Sequence, residues 1–422
     1  MDLITKAPKG TNDLLYPQSS EWQLMENVFK SEAELNGFSE VRTPVFEHTE
    51  LFLRGVGDTT DVVEKQMYTF DDKGGRTITL RPEGTAGAAR AMLESGIYNK
   101  GYPVKMYYLT ACYRYEKPQK GRLREFHQFG VEVFGAEDPV SDAQVISMAK
   151  SAFNRLGLKN ISLEINSIGC PECRKKYQEV LKEYFTGYKD QLCDTCLSRL
   201  DRNTMRILDC KSPVCSEIVK DAPKITAYIC DDCKEHFEGV QKYLDILGIE
   251  YTINQMIVRG LDYYTRTVFE FISNEIGSQG AIGGGGRYDG LIEQLGGNPV
   301  SGLGFGLGLE RIMILMKTQG IEFPEAVQCE VYLAVLDNKA REKAVVLVNE
   351  LHKSGVKAET DICGRGLKAQ MKYADRIGAK YSIVLGEEEI KTGKANLKNM
   401  KNGETSEISI DDDFIHDYIS KS

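Results

Sequence analysis

Hydrophobic and polar positions alternate with period two along residues 104–115 (VKMYYLTACYRY) and again along 126–135 (FHQFGVEVFG), both rich in aromatic and β-branched side chains, so both predict strands. The linker between them sets Lys117, Lys120, Arg122 and Arg124 around Pro118 and Gly121. The pair reads as a hairpin whose basic loop suits an anionic partner. Arginine presents a planar, permanently charged fork to phosphate, and Phe126 offers a flat face to a purine ring. A hairpin with solvated surface charges satisfies the same local pattern.

Elsewhere the period changes. Glu21–Leu35 has the spacing of an amphipathic helix, strand patterning returns at Tyr251–Gln255 and Thr267–Ile272, and Leu307–Met316 is helical. Residues 170–250 are charged, helical in pattern and hold eight of the eleven cysteines, which predicts a helical insertion into a larger domain. After breaks at Gly320 and Pro324 the pattern alternates: Val331–Val335 as strand, Lys339–His352 as helix, Lys357–Asp361 as strand, Leu367–Ile377 as helix, Tyr381–Leu385 as strand. That order predicts a separate α/β domain. The expected organisation is a domain over 1–325, an insertion at 170–250 within it, and a third unit over 326–422.

Composition adds limits rather than direction. A chain of 422 residues with 41% hydrophobic residues is long enough for two or three globular domains. No stretch reaches the length of a membrane span and the N-terminus lacks the apolar core of a signal peptide, which places the chain in the cytoplasm. A net charge of -9 limits nonspecific capture of polyanions, while local basic patches still decide nucleic-acid binding.

Three ordered segments narrow the chemistry. Tyr113-Arg114-Tyr115-Glu116, its loop and Phe126-His127-Gln128 resemble motif 2 of class II aminoacyl-tRNA synthetases; Glu40-Val41-Arg42-Thr43-Pro44 resembles motif 1; Gly304-Phe-Gly-Leu-Gly-Leu-Glu-Arg311 resembles motif 3. Within that class, Leu80-Arg-Pro-Glu-Gly-Thr85, Val258-Arg-Gly-Leu-Asp-Tyr-Tyr264 and Gly284-Gly-Gly-Arg-Tyr-Asp289 resemble the histidyl-tRNA synthetase family, as does the opening Lys9-Gly10-Thr11-Asn12-Asp13. The resemblance extends to Gly364-Arg365 and so covers nearly the whole chain.

The resemblance implies an α+β catalytic domain with an antiparallel sheet flanked by helices, the helical insertion, and a C-terminal α/β anticodon-binding domain. It implies a ligase that forms histidyl-adenylate from L-histidine and ATP with Mg²⁺, then esterifies the 3′-terminal adenosine of tRNA(His). Two anions must meet in such a reaction, so fixed cations have to offset their repulsion. Arg114 would bind the α-phosphate, Arg311 would reach the nucleotide from the other side, and Arg259 would touch both the histidine carboxylate and the phosphate. Glu116, Arg122 and Phe126 complete the implied ATP site. Glu83, Thr85 and Gln128 would hold the α-ammonium of histidine, Glu132 and Tyr264 would read its imidazole, Tyr288 would line the pocket, and Gly84, Arg114 and Tyr263 complete the implied histidine site. Gly283–Gly286 is followed by no Lys-Ser/Thr pair, so it is not a P-loop, and close backbone approach to the substrate is the better reading. Motif 1 implies a homodimer. Lys117 stands where many relatives carry arginine, which replaces a bidentate fork by a point charge.

The cysteines stand outside the resemblance, because many members of the family lack them. Cys170/Cys173, Cys193/Cys196, Cys210/Cys215 and Cys230/Cys233 form four close pairs whose spacing suits tetrahedral Zn²⁺, in one or two sites, with His236 as a substitute ligand. Reduced thiols in a plain helical insertion are the alternative. Cys112, Cys329 and Cys363 fall singly and read as small core residues. In the tail, Lys368, Lys372 and Arg376 recur every four residues beside Arg365, as on one basic helix face for RNA or simply for solvent. Two other functions fit parts of the pattern: the histidine-binding regulatory subunit of ATP phosphoribosyltransferase, and an RNA-binding sensor domain of a larger kinase.

Overall fold

The first alternating stretch becomes a long hairpin in the computed structural model, which describes residues 5–57, 60, 62–277, 280–325, 327–411 and 413–422. The described residues form two compact units, one ending at Glu322 and the other running from Phe323 to Ser422. The first contains strands β1 (Ser39–Glu40), β2 (Phe46–His48), β3 (Tyr68–Asp71), β4 (Thr77–Leu80), β5 (Val104–Tyr113), β6 (Glu125–Phe134), β7 (Ser162–Ser167), β8 (Thr252–Ile253), β9 (Thr265–Ile272), β10 (Ala281–Arg287) and β11 (Gly302–Gly308). Eight of them make one sheet in the order β1-β5-β6-β11-β10-β9-β7-β8. Its six inner strands are antiparallel, while the two-residue edge strands β1 and β8 pair in parallel with β5 and β7. The sheet is therefore mixed at its margins rather than wholly antiparallel. Strands β2, β4 and β3 form a small antiparallel sheet of their own.

The helix Gln18–Leu35 buries Trp22, Met25, Phe29 and Ala33, one stripe at helical spacing, and Phe29 packs 5.0 Å from Phe129 of β6 and 6.4 Å from Phe153. The helix expected to begin at Leu307 begins at Leu309, because Leu307 is the buried penultimate residue of β11. Its apolar side chain continues the helical spacing, which hid the strand end.

Between β7 and β8 the chain leaves the sheet to form helices Pro171–Thr186, Asp194–Arg202, Pro213–Lys220 and Asp231–Ile246. Three of these start on a cysteine in extended conformation: Cys170, Cys193 and Cys230. The interior of this segment is continuous with the sheet. One buried cluster includes Tyr177, Leu181, Phe185 and Ile218 of the helices together with Tyr263, Tyr264 and Tyr288.

The second unit carries β12 (Val331–Val335), β13 (Ala358–Thr360), β14 (Tyr381–Leu385), β15 (Lys394–Asn399) and β16 (Thr405–Ser409), ordered β13-β12-β14-β15-β16. The first three are parallel and alternate with helices, as the pattern predicts; β15 and β16 add an antiparallel hairpin. That hairpin was not legible because only Ala395, Leu397 and Ile408 mark its inner face among polar neighbours. Asp337 caps the helix Asn338–Lys353 by accepting from the Ala340 amide at 2.9 Å. No helix among the described residues is long and apolar enough to cross a membrane.

Candidate active site

Strands β6, β10 and β11, the start of the helix Leu309–Thr318, and the irregular segment 257–264 enclose a cavity of 310 Å³. Two of its cations, Arg114 and Arg311, are held by backbone carbonyls. Arg114 Nε donates to Pro82 O at 2.8 Å, and Arg311 donates from Nε to Gly121 O at 3.0 Å and from Nη1 to Ala281 O. Arg122 pairs with Glu116 at 3.4 Å, and the Arg114 guanidinium stands 5.2 Å from the centre of the Phe126 ring. Burial, together with the neighbouring Arg122 and Arg114, pushes the Arg311 pKa below its usual value. Like charges crowded this closely favour an anion between them. Glu310 beside Arg311 accepts from the His127 amide at 2.8 Å and meets its ring Nδ1 at 3.0 Å, a bond that raises the His127 pKa.

Arg259 enters from the irregular segment 257–264. It pairs with Glu270 of β9, and although burial opposes its charge, Tyr264 and Glu270 outweigh that and hold the guanidinium firmly protonated. Its Nε is buried and makes no hydrogen bond among the described residues. Gly284 makes this approach possible, since a Cβ there would lie 2.8 Å from Arg259 Nη1.

The far end of the cavity is a buried hydrogen-bonded layer. Glu132 is fully buried; its Oε1 accepts from Thr85 Oγ1 at 2.7 Å and Tyr108 OH at 3.0 Å, and its Oε2 from Tyr288 OH. Burial pushes its carboxyl up to about 8, against the pull of those hydroxyls. Glu83, one residue before the N-cap Gly84, accepts from the Thr85 and Ala86 amides at 2.7 and 2.8 Å, the first amides of the helix Thr85–Ser95, and burial still raises its pKa. Gln128 accepts from the Gly84 amide at 3.0 Å.

Of the residues singled out in the sequence, Glu83, Thr85, Arg114, Glu116, Arg122, Phe126, Gln128, Arg259, Tyr263, Tyr264 and Arg311 line this one cavity. Gly84, Glu132 and Tyr288 lie outside its lining; Thr85 links Glu132 to it. Lys117, Lys120 and Arg124 of the basic loop are not brought in: Arg124 stacks 4.0 Å from the centre of the Tyr115 ring. Sequence reasoning missed Glu270, the acidic partner of Arg259, and it singled out Glu310 only as part of motif 3, not as the partner of His127. For Glu270 the signal was a lone carboxylate among apolar residues in Thr267–Ile272.

The cysteine pairs assemble into two sets of four, Cys170/Cys173/Cys230/Cys233 and Cys193/Cys196/Cys210/Cys215, with all sulfurs of a set within 4.8 Å of one another. His236 is in neither set. Its Nε2 lies 3.1 Å from Arg287 Nε and 3.4 Å from Asp142, where the buried pair of Arg287 and Asp142 claims it. Cys363 is exposed, not core, because it sits in the turn after β13 beside the Arg365 guanidinium. Cys112 and Cys329 are buried as expected.

Comparison with known proteins then separates the possible functions. The family model described as histidyl-tRNA synthetase matches residues 10–312. The chain belongs to that family. A second model, the anticodon binding domain, matches residues 330–420. The histidine–tRNA ligase of Acetivibrio thermocellus is 55% identical over 409 residues, covering 97% of this chain and 98% of its own. That of Caldanaerobacter subterraneus is 52% identical over 410 residues, with the same coverage of 97% and 98%. The crystal structure of apo histidyl-tRNA synthetase from S. aureus matches with a TM-score of 0.83 at 38% identity, over 98% of this chain and 100% of that one. A Bacillus halodurans structure described as an ATP phosphoribosyltransferase regulatory subunit/histidyl-tRNA synthetase matches at 23% identity and a TM-score of 0.62, over 88% and 97% of the two chains, and shares the fold. Family membership makes this enzyme a class II aminoacyl-tRNA synthetase, a ligase that uses ATP and Mg²⁺ to charge tRNA with histidine.

Proposed function

We propose that the cavity binds the nucleotide at its arginine end and histidine at its buried end. The observation that carries this reading is the cavity's two-sided lining: Arg122 and Arg311 crowd one another, Arg114 lies near both Arg311 and Glu83, and Glu83 leads through Thr85 to the buried Glu132 network. One carboxylate oxygen of histidine attacks the α-phosphorus, the bond to the bridging oxygen breaks, and pyrophosphate leaves. A hydroxyl of the terminal ribose of tRNA(His) then attacks the carbonyl carbon, and AMP leaves. Arg114 and Arg259 flank the reacting phosphate, and the unpartnered Arg259 Nε is available to an incoming oxygen. Arg311 and Arg122 hold the rest of the nucleotide, with Glu116 beside them and Phe126 against the purine. Mg²⁺ arrives on the outer phosphates as part of the substrate and neutralises their charge.

Glu83, Thr85, Gln128 and the Gly84 backbone take the α-ammonium group. Tyr263 and Tyr264 form the walls of the ring site, and Glu132 with Tyr288 sets the polarity at its floor. A pocket built to satisfy both ring nitrogens rejects isosteres that lack them. Histidine-dependent exchange of labelled pyrophosphate into ATP, measured beside charging of histidine tRNA, tests the reading. Exchange with histidine and with no other amino acid is expected, and exchange without charging would instead favour a sensor.

The two cysteine sets fit structural Zn²⁺. Tetrahedral thiolate ligands at about 2.3 Å put sulfurs about 3.8 Å apart, and Cys170–Cys173 and Cys193–Cys210 stand 3.5 and 3.8 Å apart. Backbone amides of Cys170 and Cys230 point at Cys233 and Cys173 sulfurs at 3.2 and 3.1 Å, and the Cys193 amide at Cys215 at 3.3 Å, as thiolates favour. Bound zinc cross-links the insertion. We also assign a homodimer to the face around Glu40–Pro44, where Val45 and Phe46 are exposed, and a cytoplasmic location where ATP, histidine and tRNA meet. In the second unit, exposed Lys368 and Lys372, with Arg365 and Arg376 stacked at 4.4 and 5.0 Å on Tyr373, form the tRNA face.

A further inference from the structure

The segment 257–264 contributes Arg259, Tyr263 and Tyr264 to the cavity, yet it belongs to no strand or helix. Its carbonyls therefore need partners from outside any ladder. Two arginines of the insertion provide them. Arg174 Nη1 donates to both Asp262 O at 3.2 Å and Tyr264 O at 2.8 Å, and Arg206 Nη1 donates to Arg259 O at 2.9 Å. Each arginine is tied to one cysteine set. Arg174 follows Cys173 directly, and its amide donates to Cys170 O at 2.9 Å. Arg206 lies on the turn Thr204–Ile207 between Cys196 and Cys210, and the Cys210 amide donates to Ile207 O at 3.0 Å. The two arms grip opposite ends of the stretch whose side chains face the cavity. On its other side that stretch borders a separate cavity of 180 Å³, lined by Arg174, Met205 and Arg206, so the backing there is thin.

We propose that Arg174 and Arg206 are positioning residues for histidine activation: with the cysteine sets closed by metal, they fix the backbone of residues 259–264. The inference rests on the zinc and histidine-site readings above. It makes the insertion part of the histidine site without any contact to substrate. The nucleotide end does not share this support, because Arg114 and Arg311 are held by Pro82, Gly121 and Ala281.

Arg174→Met and Arg206→Met in the full chain test it, with Arg174→Lys as the conservative variant. The expected result is a rise of roughly tenfold in KM for histidine in pyrophosphate exchange, since a buried carbonyl loses its donor. KM for ATP and zinc content should stay close to the parent, the melting temperature should fall by no more than a few degrees, and Arg174→Lys should recover part of the loss. A purely structural role would lower melting temperature and active fraction while leaving KM for histidine unchanged, and that result overturns the proposal. If either methionine variant fails to fold, histidine affinity is read by calorimetry on the full-length parent before and after zinc is stripped by a chelator. Weaker histidine binding with unchanged ATP binding supports the arms, and unchanged binding of both overturns them. Protein purified without zinc defeats the metal reading alone, because the arginine variants still report on the arms.

Discussion

The two ends of the cavity solve opposite problems. At the arginine end the protein keeps charge available: Arg114 and Arg311 spend one or two donors on main-chain carbonyls and leave the rest of the guanidinium for a ligand. At the buried end it suppresses charge, with Glu132 under three hydroxyls and its carboxyl pushed up to about 8. Anionic reactants need preorganised cations that do not have to reorient, whereas a neutral heterocycle needs donors and acceptors that water cannot replace. Arg259 stands where the two regimes meet, paired with Glu270 and stacked 5.4 Å from the centre of the Tyr264 ring.

Removing that junction should have the largest effect. Arg259→Ala is expected to lower the pyrophosphate-exchange rate by about two to three orders of magnitude, while calorimetric histidine affinity changes far less, as for a contact strongest in the transition state. An equal loss in affinity would mean that Arg259 serves ground-state binding instead.

Glu132→Gln probes the charge-suppressing end and should weaken histidine binding by roughly tenfold, the effect of one mispaired buried group. It carries a stability signature as well. The folded-state value of about 8 lies above the ordinary 4.5, so the folded chain holds this proton where the unfolded chain has lost it. The stability this gives is complete at low pH and disappears as pH rises toward 8. The variant lacks the titration, so its melting temperature should fall less than the parent's between about pH 5 and about pH 9. Parallel curves would place Glu132 in a polar, charged environment and erase the contrast between the two ends.

Cys170→Ser with Cys173→Ser asks whether the histidine end leans on the insertion. Zinc content should fall by one equivalent, the melting temperature should drop by several degrees, about 2–4 °C per kcal/mol for a domain of this order. KM for histidine should rise while KM for ATP stays put. The smallest effect is expected outside the cavity. Lys368→Ala with Lys372→Ala should weaken tRNA binding several-fold and flatten its dependence on salt by about one to two phosphate contacts, leaving pyrophosphate exchange unchanged.

Much of this was legible in the residue pattern. The hairpin strands 104–113 and 125–134 follow from alternation, and β12 and β14 match their expected spans because each is a short, mostly apolar run, interrupted in β14 only by Ser382. The motif residues were legible through family resemblance, not through local chemistry. Nothing in Val131–Phe134 indicates that Glu132 faces inward, since its neighbours are apolar on both sides. The pairings of Arg259 with Glu270 and of His127 with Glu310 escaped notice because contact across 11 and 183 residues is a property of the fold. Cysteine spacing gave four close pairs but not which pair joins which. Helix packing made that choice, and it excluded His236 by giving it to Arg287 and Asp142.

The most direct test of the divided cavity is a crossed measurement of Michaelis constants on two variants, Arg311→Gln and Glu132→Gln, in histidine-dependent pyrophosphate exchange. The Arg311 variant should raise KM for ATP by about tenfold or more and leave KM for histidine near the parent value, and the Glu132 variant should do the reverse. If each variant raises both constants together, the two ends do not bind separate substrates and the division is wrong.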